Sequence, residues 1–229
     1  MIPPHDLVAV LPAYNCEKTV GAVVAGLRGQ VGEVIVVDDG SIDGTAAAAR
    51  DAGAKVISLE TNSGKGSALR RGIEAALSTD CRLLVLLDAD GQHDPVDLPA
   101  LLAVYEKEGT PLVVGCRLAE RKLIPAVRFW TNYIGTRILS WMTGQELLDS
   151  QSGYRLIEAQ LARKLTLLSS GYGIETEMLI RAAALGVPIG HAPIRTIYPS
   201  TGTSHFRPFR DTVQIAWEAI LCKVFRVDA

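Results

Sequence analysis

Asp88-Ala89-Asp90 follows directly on the apolar run Leu83-Leu84-Val85-Leu86-Leu87. Two carboxylates one residue apart at a strand end can both face a hard divalent cation, which keeps coordination positions for phosphate oxygens. Without a cation the two charges repel. Gln92 offers a neutral oxygen ligand, and His93 and Asp94 follow closely enough to support the ligands. The competing reading is a turn with a helix cap, since Asp94-Pro95 is a good N-cap and first-turn pair. A second cluster, Asp38-Asp39-Gly40-Ser41-Ile42-Asp43-Gly44-Thr45, puts three acids and two glycines in eight residues. A carboxylate at such a strand end takes a ribose hydroxyl or a base edge, and the glycines admit a ligand close to the backbone. Asp43 and Thr45 serve equally well as caps of the next helix. A third cluster, Asn62-Ser63-Gly64-Lys65-Gly66, resembles a phosphate cradle. It is not a Walker loop, because Gly66 stands where the hydroxyl should be, and it is not a dinucleotide fingerprint, because position 69 is Leu.

The elements that must carry these clusters are legible in the hydropathy. From Leu7 short apolar runs alternate with helix-period segments: 7–11 then 19–28, 34–37 then 45–52, 56–59 then 65–77, 83–87 then 95–107, and finally 112–115. Strand and helix repeated four times predict an α/β, mostly parallel, doubly covered (Rossmann-like) sheet. Ligands bind such sheets at the carboxyl ends of the strands, and every polar cluster above falls on that one rim, with Pro12-Ala13-Tyr14-Asn15 after the first strand. Beyond Gly115 the alternation breaks. Residues 122–143 read as a helix with a stripe of Leu123, Val127, Trp130, Ile134, Ile138 and Trp141, which must be covered by protein or lie in a membrane interface. A loop at 145–153, helices at 158–168 and 175–185, a strand at 189–198 and a last helix at 210–225 complete the expectation. No repeat or linker interrupts the chain, so one domain, 1–229, is expected, with a ligand half at 1–117 and a variable helical half at 118–229.

At 229 residues, with hydrophobic and charged fractions of 48% and 21%, the chain can build one sizeable core, and disorder and disulfide-stapled miniproteins are excluded. Cys16, Cys81, Cys116 and Cys222 lack metal-site spacing and read as reduced core thiols, which suggests a reducing compartment. Residues 1–116 hold 9 Lys/Arg against 16 Asp/Glu, and the remainder 14 against 9. The acidic half suits a metal or ribose and the basic half suits an anionic group or surface; neither is basic enough to imply nucleic acid. No run reaches the roughly 18–20 apolar residues of a membrane span, and no leader pattern opens the chain.

Pro12-Ala13-Tyr14-Asn15 with Glu17, Asp38-Asp39-Gly40-Ser41-x-Asp43-Gly44-Thr45, Asn62-x-Gly64-Lys65-Gly66 and Asp88-Ala89-Asp90-Gly91-Gln92-His93 together resemble the family 2 glycosyltransferases of the GT-A fold, in particular the dolichyl- or polyprenyl-phosphate sugar synthases. Four motifs in order over residues 8–117 carry the resemblance. It implies that Pro12, Tyr14, Glu17 and Asp39 hold the base and ribose of a nucleotide sugar, with Asn15, Asp38, Lys65, Ala89, Arg195 and His205 in the same donor set. It implies further that Asp88, Asp90 and Gln92, the DXD region, hold Mg2+ or Mn2+ on the diphosphate. Gly115-Cys116-Arg117 and Asp149-Ser150-Gln151-Ser152-Gly153-Tyr154-Arg155 match phosphate- and acceptor-side elements of the family.

On this reading Arg117, Arg128 and Arg155 anchor an acceptor phosphate, since a guanidinium grips phosphate oxygens bidentately, although an arginine here serves equally as half of a structural ion pair. Asp149 organises or deprotonates the acceptor. Glu175 and Glu177 either approach sugar hydroxyls or favour the start of their helix. The run 198–205 resembles a late phosphate loop with His205 where relatives often have Lys or Arg. The implied activity is metal-dependent, inverting transfer of a sugar from a nucleotide-diphosphate sugar to a polyprenyl phosphate, by an enzyme peripheral to the cytoplasmic membrane face and with a possible membrane-protein partner. A soluble acceptor is the nearest alternative. A HAD-type phosphatase fits less well, since position 92 is Gln, and an idle nucleotide-binding module would bind donor without transfer.

Overall fold

Seven strands form one mixed sheet: β1 (Leu7–Ala13), β2 (Glu33–Asp38), β3 (Lys55–Ser58), β4 (Leu83–Leu86), β5 (Leu112–Cys116), β6 (Arg155–Glu158) and β7 (Ile189–Pro193). They lie in the order β3-β2-β1-β4-β6-β5-β7. The computed structural model describes residues 2–117, 126–195 and 197, without the side chains of 126–129 and 131. Expectations for Leu123, Val127, Arg128, Cys222, the 198–205 run with His205, and the 210–225 helix fall outside the described residues.

The apolar runs are continuous because the sheet is buried on both faces. Val8, Val10, Ile35, Val37, Leu84 and Leu86 point to one face and pack on helices α3 (Lys65–Leu77), α6 (Ala159–Lys164) and α7 (Ile174–Ala184). Their sequence neighbours Leu7, Ala9, Val34, Val36, Leu83 and Val85 point to the other, against α1 (Glu17–Leu27), α2 (Thr45–Asp51) and α4 (Leu98–Glu108). This is the doubly covered α/β sheet the alternation predicts.

The second half of the chain adds a strand that the sequence reading did not contain. The helix expected from 158 is α6, and just ahead of it Arg155–Glu158, to which the sequence reading gave no element, is a strand that runs antiparallel between β4 and β5, pairing Leu86 with Arg155 on one side and Val114 with Arg155 on the other. Being antiparallel, it begins where its neighbours end, so the residues before it arrive on the rim that carries the polar clusters.

The helix expected over 122–143 is α5 (Ala126–Thr143) over its described part. Its packed side is polar: Thr136 shares a 2.9 Å hydrogen bond with Ser150, and the Ser140 hydroxyl accepts from the Leu147 amide at 3.0 Å. Leu139 is the buried apolar residue on that side. Of the predicted stripe, Trp130, Ile134 and Ile138 are just over half exposed and Trp141 is 80% exposed, so these four face outward. Among the described residues, no helix is long and apolar enough to cross a membrane. Cys16, Cys81 and Cys116 are free thiols.

Candidate active site

The rim is built first from loops that cap one another. The Asp39 amide donates to the Ala13 carbonyl at 2.8 Å, and Asn15, in the left-handed region at φ 51°, bonds Ser41 Oγ through its amide and the Ile42 amide through Oδ1. That conformation is tolerated because the Asn side chain secures the neighbouring loop. Asp38 Oδ1 accepts from the Ser41 amide at 3.1 Å. Asp43 accepts from Thr45 and from the Glu17 amide, so it ties the starts of α1 and α2 together, as a cap would. Pro12 is buried at the end of β1, whereas Tyr14 is half-buried and Glu17 exposed beside it.

Asp39 is deeper than expected for a group that reads a base. It is 3% exposed, and its two oxygens accept from the Ser63 and Gly64 amides at 2.8 and 2.9 Å, so it clamps the loop that leads into α3. The amides at the start of that helix are already engaged. The Gly66 and Ser67 amides donate to the Ser170 carbonyl at 2.9 and 3.3 Å, filling the helix N-terminus with the chain's own backbone. A Cβ on Gly64 or Gly66 would collide with the Ser170 or Ser169 carbonyl, which is why both positions lack one. Glu177 holds this plug in place: its carboxylate accepts from the Leu168 amide at 2.9 Å, the Ser169 amide at 2.8 Å and Arg181 Nε at 2.8 Å.

With the helix start occupied, Lys65 turns to carboxylates. Its Nζ lies 2.7 Å from Asp88 Oδ1, 2.9 Å from Oδ2 and 2.6 Å from Glu175 Oε1, with the Tyr172 ring centroid 5.8 Å away. Burial alone would lower its pKa, but the charges of Asp88 and Glu175 raise it, so the ammonium is permanent. The ammonium thus bridges Asp88 and the buried Glu175. Thr19 Oγ1 donates to the Ala89 carbonyl at 2.7 Å, and Asp90 Oδ1 accepts from the Gln92 amide at 2.9 Å, so the Asp88–Gln92 turn is fixed from both sides. Asp94 caps the following turn through the Val96 amide.

The antiparallel strand delivers the other wall. Arg117 is bidentate on Asp149, Nε to Oδ2 at 2.7 Å and Nη2 to Oδ1 at 2.9 Å, and Asn132 of α5 and the Gln151 amide add bonds to Oδ1 at 3.3 and 3.2 Å. Burial raises the Asp149 carboxyl, but Arg117 outweighs it and holds the pKa below the ordinary value. A carboxylate so charged and so bonded positions Arg117; it is ill suited to remove a proton. Burial, then the charge of Arg117, pushes His93 down to about 4, so its ring is neutral, 5.9 Å from that of Tyr154.

Two expected roles need correction on this geometry. Arg155 does not reach the rim as a phosphate anchor: it is 1% exposed, and Nε, Nη1 and Nη2 donate to the carbonyls of Ser152, Glu175 and Ser150 at 2.9, 2.7 and 3.0 Å. Arg195 bonds Asp97 at 3.0 Å through Nε, at the start of α4, a position set by that acid and not by a donor ligand. Gly153, which the sequence placed in the acceptor-side element without a role, packs against Asp88. A Cβ there would strike the Asp88 carboxylate, so its bare backbone forms one flank of that carboxylate.

Asp88 and Asp90 supply hard oxygen donors of the kind a divalent cation bound with a diphosphate takes, and the bare backbone of Gly153 keeps the Asp88 carboxylate clear of a side chain, while among the described residues no group of three or more His, Cys, Asp or Glu gathers to hold a metal.

Comparison with known proteins follows the same lines. Residues 8–164 match the model of Glycosyl transferase family 2. The chain is 34% identical over 218 residues to Glycosyltransferase AglJ of Haloferax volcanii, covering 92% of this chain and 70% of that one. It is 33% identical over 211 residues to Undecaprenyl-phosphate mannosyltransferase of Micrococcus luteus, covering 86% of each. Among solved structures, glucosyl-3-phosphoglycerate synthase from Mycobacterium tuberculosis in complex with Mn2+, uridine-diphosphate-glucose and phosphoglyceric acid superimposes with a TM-score of 0.71 at 26% identity, over 95% of this chain and 79% of that one.

Proposed function

Because the chain belongs to glycosyl transferase family 2 and is a nucleotide-sugar-dependent glycosyltransferase, we propose that it moves a sugar from a nucleoside diphosphate to a polyprenyl phosphate presented at a membrane surface. The donor half is 1–117, with Tyr14, Glu17 and the Asp38–Asp39 turn beside the nucleoside, and the acceptor half is 118–229. Asp88 and Asp90, with Gln92, would hold a divalent cation, whose chemistry there is to neutralise the diphosphate as it leaves. Arg117, aimed by Asp149, steadies phosphate charge on the acceptor side. A phosphate acceptor is already an anion at neutral pH, so no strong base is needed, in keeping with an Asp149 that is fully engaged.

The observation that carries the lipid reading is α5. Its outward face is apolar and aromatic, with the exposed Arg137 among these residues, while Asn132 on its inner face bonds Asp149 beside Arg117. A helix that lays Trp and Ile on an interface would bring a lipid phosphate to that arginine. The identity to the undecaprenyl-phosphate mannosyltransferase supports the same acceptor class. A soluble phosphorylated acceptor is the second reading, favoured by the phosphoglyceric acid in the solved relative.

Sedimentation with anionic vesicles distinguishes them. The lipid reading expects salt-sensitive recovery that Ile138→Ser with Trp141→Ser abolishes while donor binding is kept. Equal recovery of the variant, or none of the wild type, removes membrane presentation by α5.

A further inference from the structure

Asp88 is claimed twice. It is a ligand in the cation reading above, on which this inference rests, and both its oxygens are within 2.9 Å of Lys65 Nζ, while the backbone of Gly153 closes another flank. An ammonium straddling a carboxylate and a dication bound to it compete for the same oxygens, and each repels the other. Lys65 has somewhere else to go. Glu175 Oε1 is 2.6 Å from Nζ, so the ammonium already bridges Asp88 and the buried Glu175 and can stay on Glu175 alone. Its helix is fixed, because the Glu175 carbonyl accepts from Arg155 and the neighbouring loop is clamped by Glu177.

We propose that Lys65 and the divalent cation exchange on Asp88: cation uptake releases the ammonium from Asp88 and leaves it on Glu175 alone, so the Lys65–Glu175 pair sets the metal affinity of the site. The exchange couples metal to donor, because an incoming diphosphate supplies negative charge that both the cation and the released ammonium can share. Lys65 is thereby a positioning residue with two stations, and Glu175 is the second one.

Calorimetric titration of the nucleotide-free protein with Mn2+ tests this through binding, without reference to turnover. Lys65→Met should bind Mn2+ at least about tenfold tighter than wild type, because the competitor is gone. Glu175→Gln should bind it more weakly, because the ammonium loses its alternative partner. A plain effect of local charge predicts the same two signs, so the double variant decides: Glu175→Gln should have no effect once Lys65 is Met, whereas a charge effect would persist undiminished. In the wild type, Mg2+ should shift the Lys65 ε-methylene NMR resonance, a readout that stands if a variant fails to fold. Unchanged or weaker binding by folded Lys65→Met, an equal Glu175→Gln effect in both backgrounds, or a Lys65 resonance unmoved by bound Mg2+ overturns the exchange. If the wild type takes up no Mn2+ even with nucleoside diphosphate, the cation reading itself falls, and the exchange with it.

Discussion

Asp149 illustrates how a residue's type can be read before its job. A carboxylate on the acceptor side suggests a base, yet the Arg117 fork and two further donors make it an anchor. Its folded pKa lies below the ordinary 3.8, so it binds protons more weakly folded than unfolded. Its stabilising contribution is therefore present above about pH 3.8 and is lost as the pH falls through the lower folded value. Asp149→Asn should cost on the order of 2 kcal/mol at pH 7, and the gap to wild type should close in denaturant melts as the pH drops below that range. A gap that stays constant would mean the carboxylate charge contributes nothing. Gly153 makes the complementary case, since its importance lies in what it lacks. Gly153→Ala drives a methyl into the Asp88 carboxylate, and Mn2+ affinity measured with nucleoside diphosphate present should fall by roughly 10–100-fold while the fold persists. Wild-type affinity in that variant would detach the loop from the metal site.

At the scale of elements, the parallel half was legible because a doubly buried strand is a continuous apolar run and its carboxyl end is marked by a polar cluster. Leu83–Leu86 followed by Asp88-Ala89-Asp90 is such a case. Arg155–Glu158 was not legible: four residues carry no period of their own, and only the flanking β4 and β5 make them a strand. The plug at the start of α3 was hidden for a related reason, as Gly66 and Ser170 are far apart in sequence and the contact is backbone to backbone. The small residues at 64 and 66 marked a close approach but not what approaches. For α5 the periodicity predicted a helix whose stripe must be covered or meet an interface, and it could not choose between the two; in the structure Trp130, Ile134, Ile138 and Trp141 are exposed.

Arg155 joins these elements, bonding carbonyls at 150, 152 and 175 from the first position of β6. Arg155→Met strands three buried acceptors and should cost about 3 kcal/mol, a fall in Tm of roughly 6–12 °C. A melting temperature within about a degree of wild type would show that the loop and α7 are held by other means.

For the molecule as a whole, the charge asymmetry and the outward α5 belong together. Residues 1–116 are net acidic, as suits the proposed cation and nucleotide site, while the remainder is net basic and includes α5 with its exposed aromatic residues and Arg137. The most direct measurement is transfer from a nucleotide sugar, with Mn2+, to polyprenyl phosphate in vesicles and to phosphoglyceric acid in solution, run with wild type and Asp90→Asn. The account predicts product on the lipid in preference to the soluble acceptor, and loss of at least about 100-fold in rate for Asp90→Asn, equivalent to several kcal/mol of lost cation and transition-state stabilisation. Transfer to phosphoglyceric acid alone would discard the lipid, and near wild-type transfer by a folded Asp90→Asn would contradict the assignment of the metal.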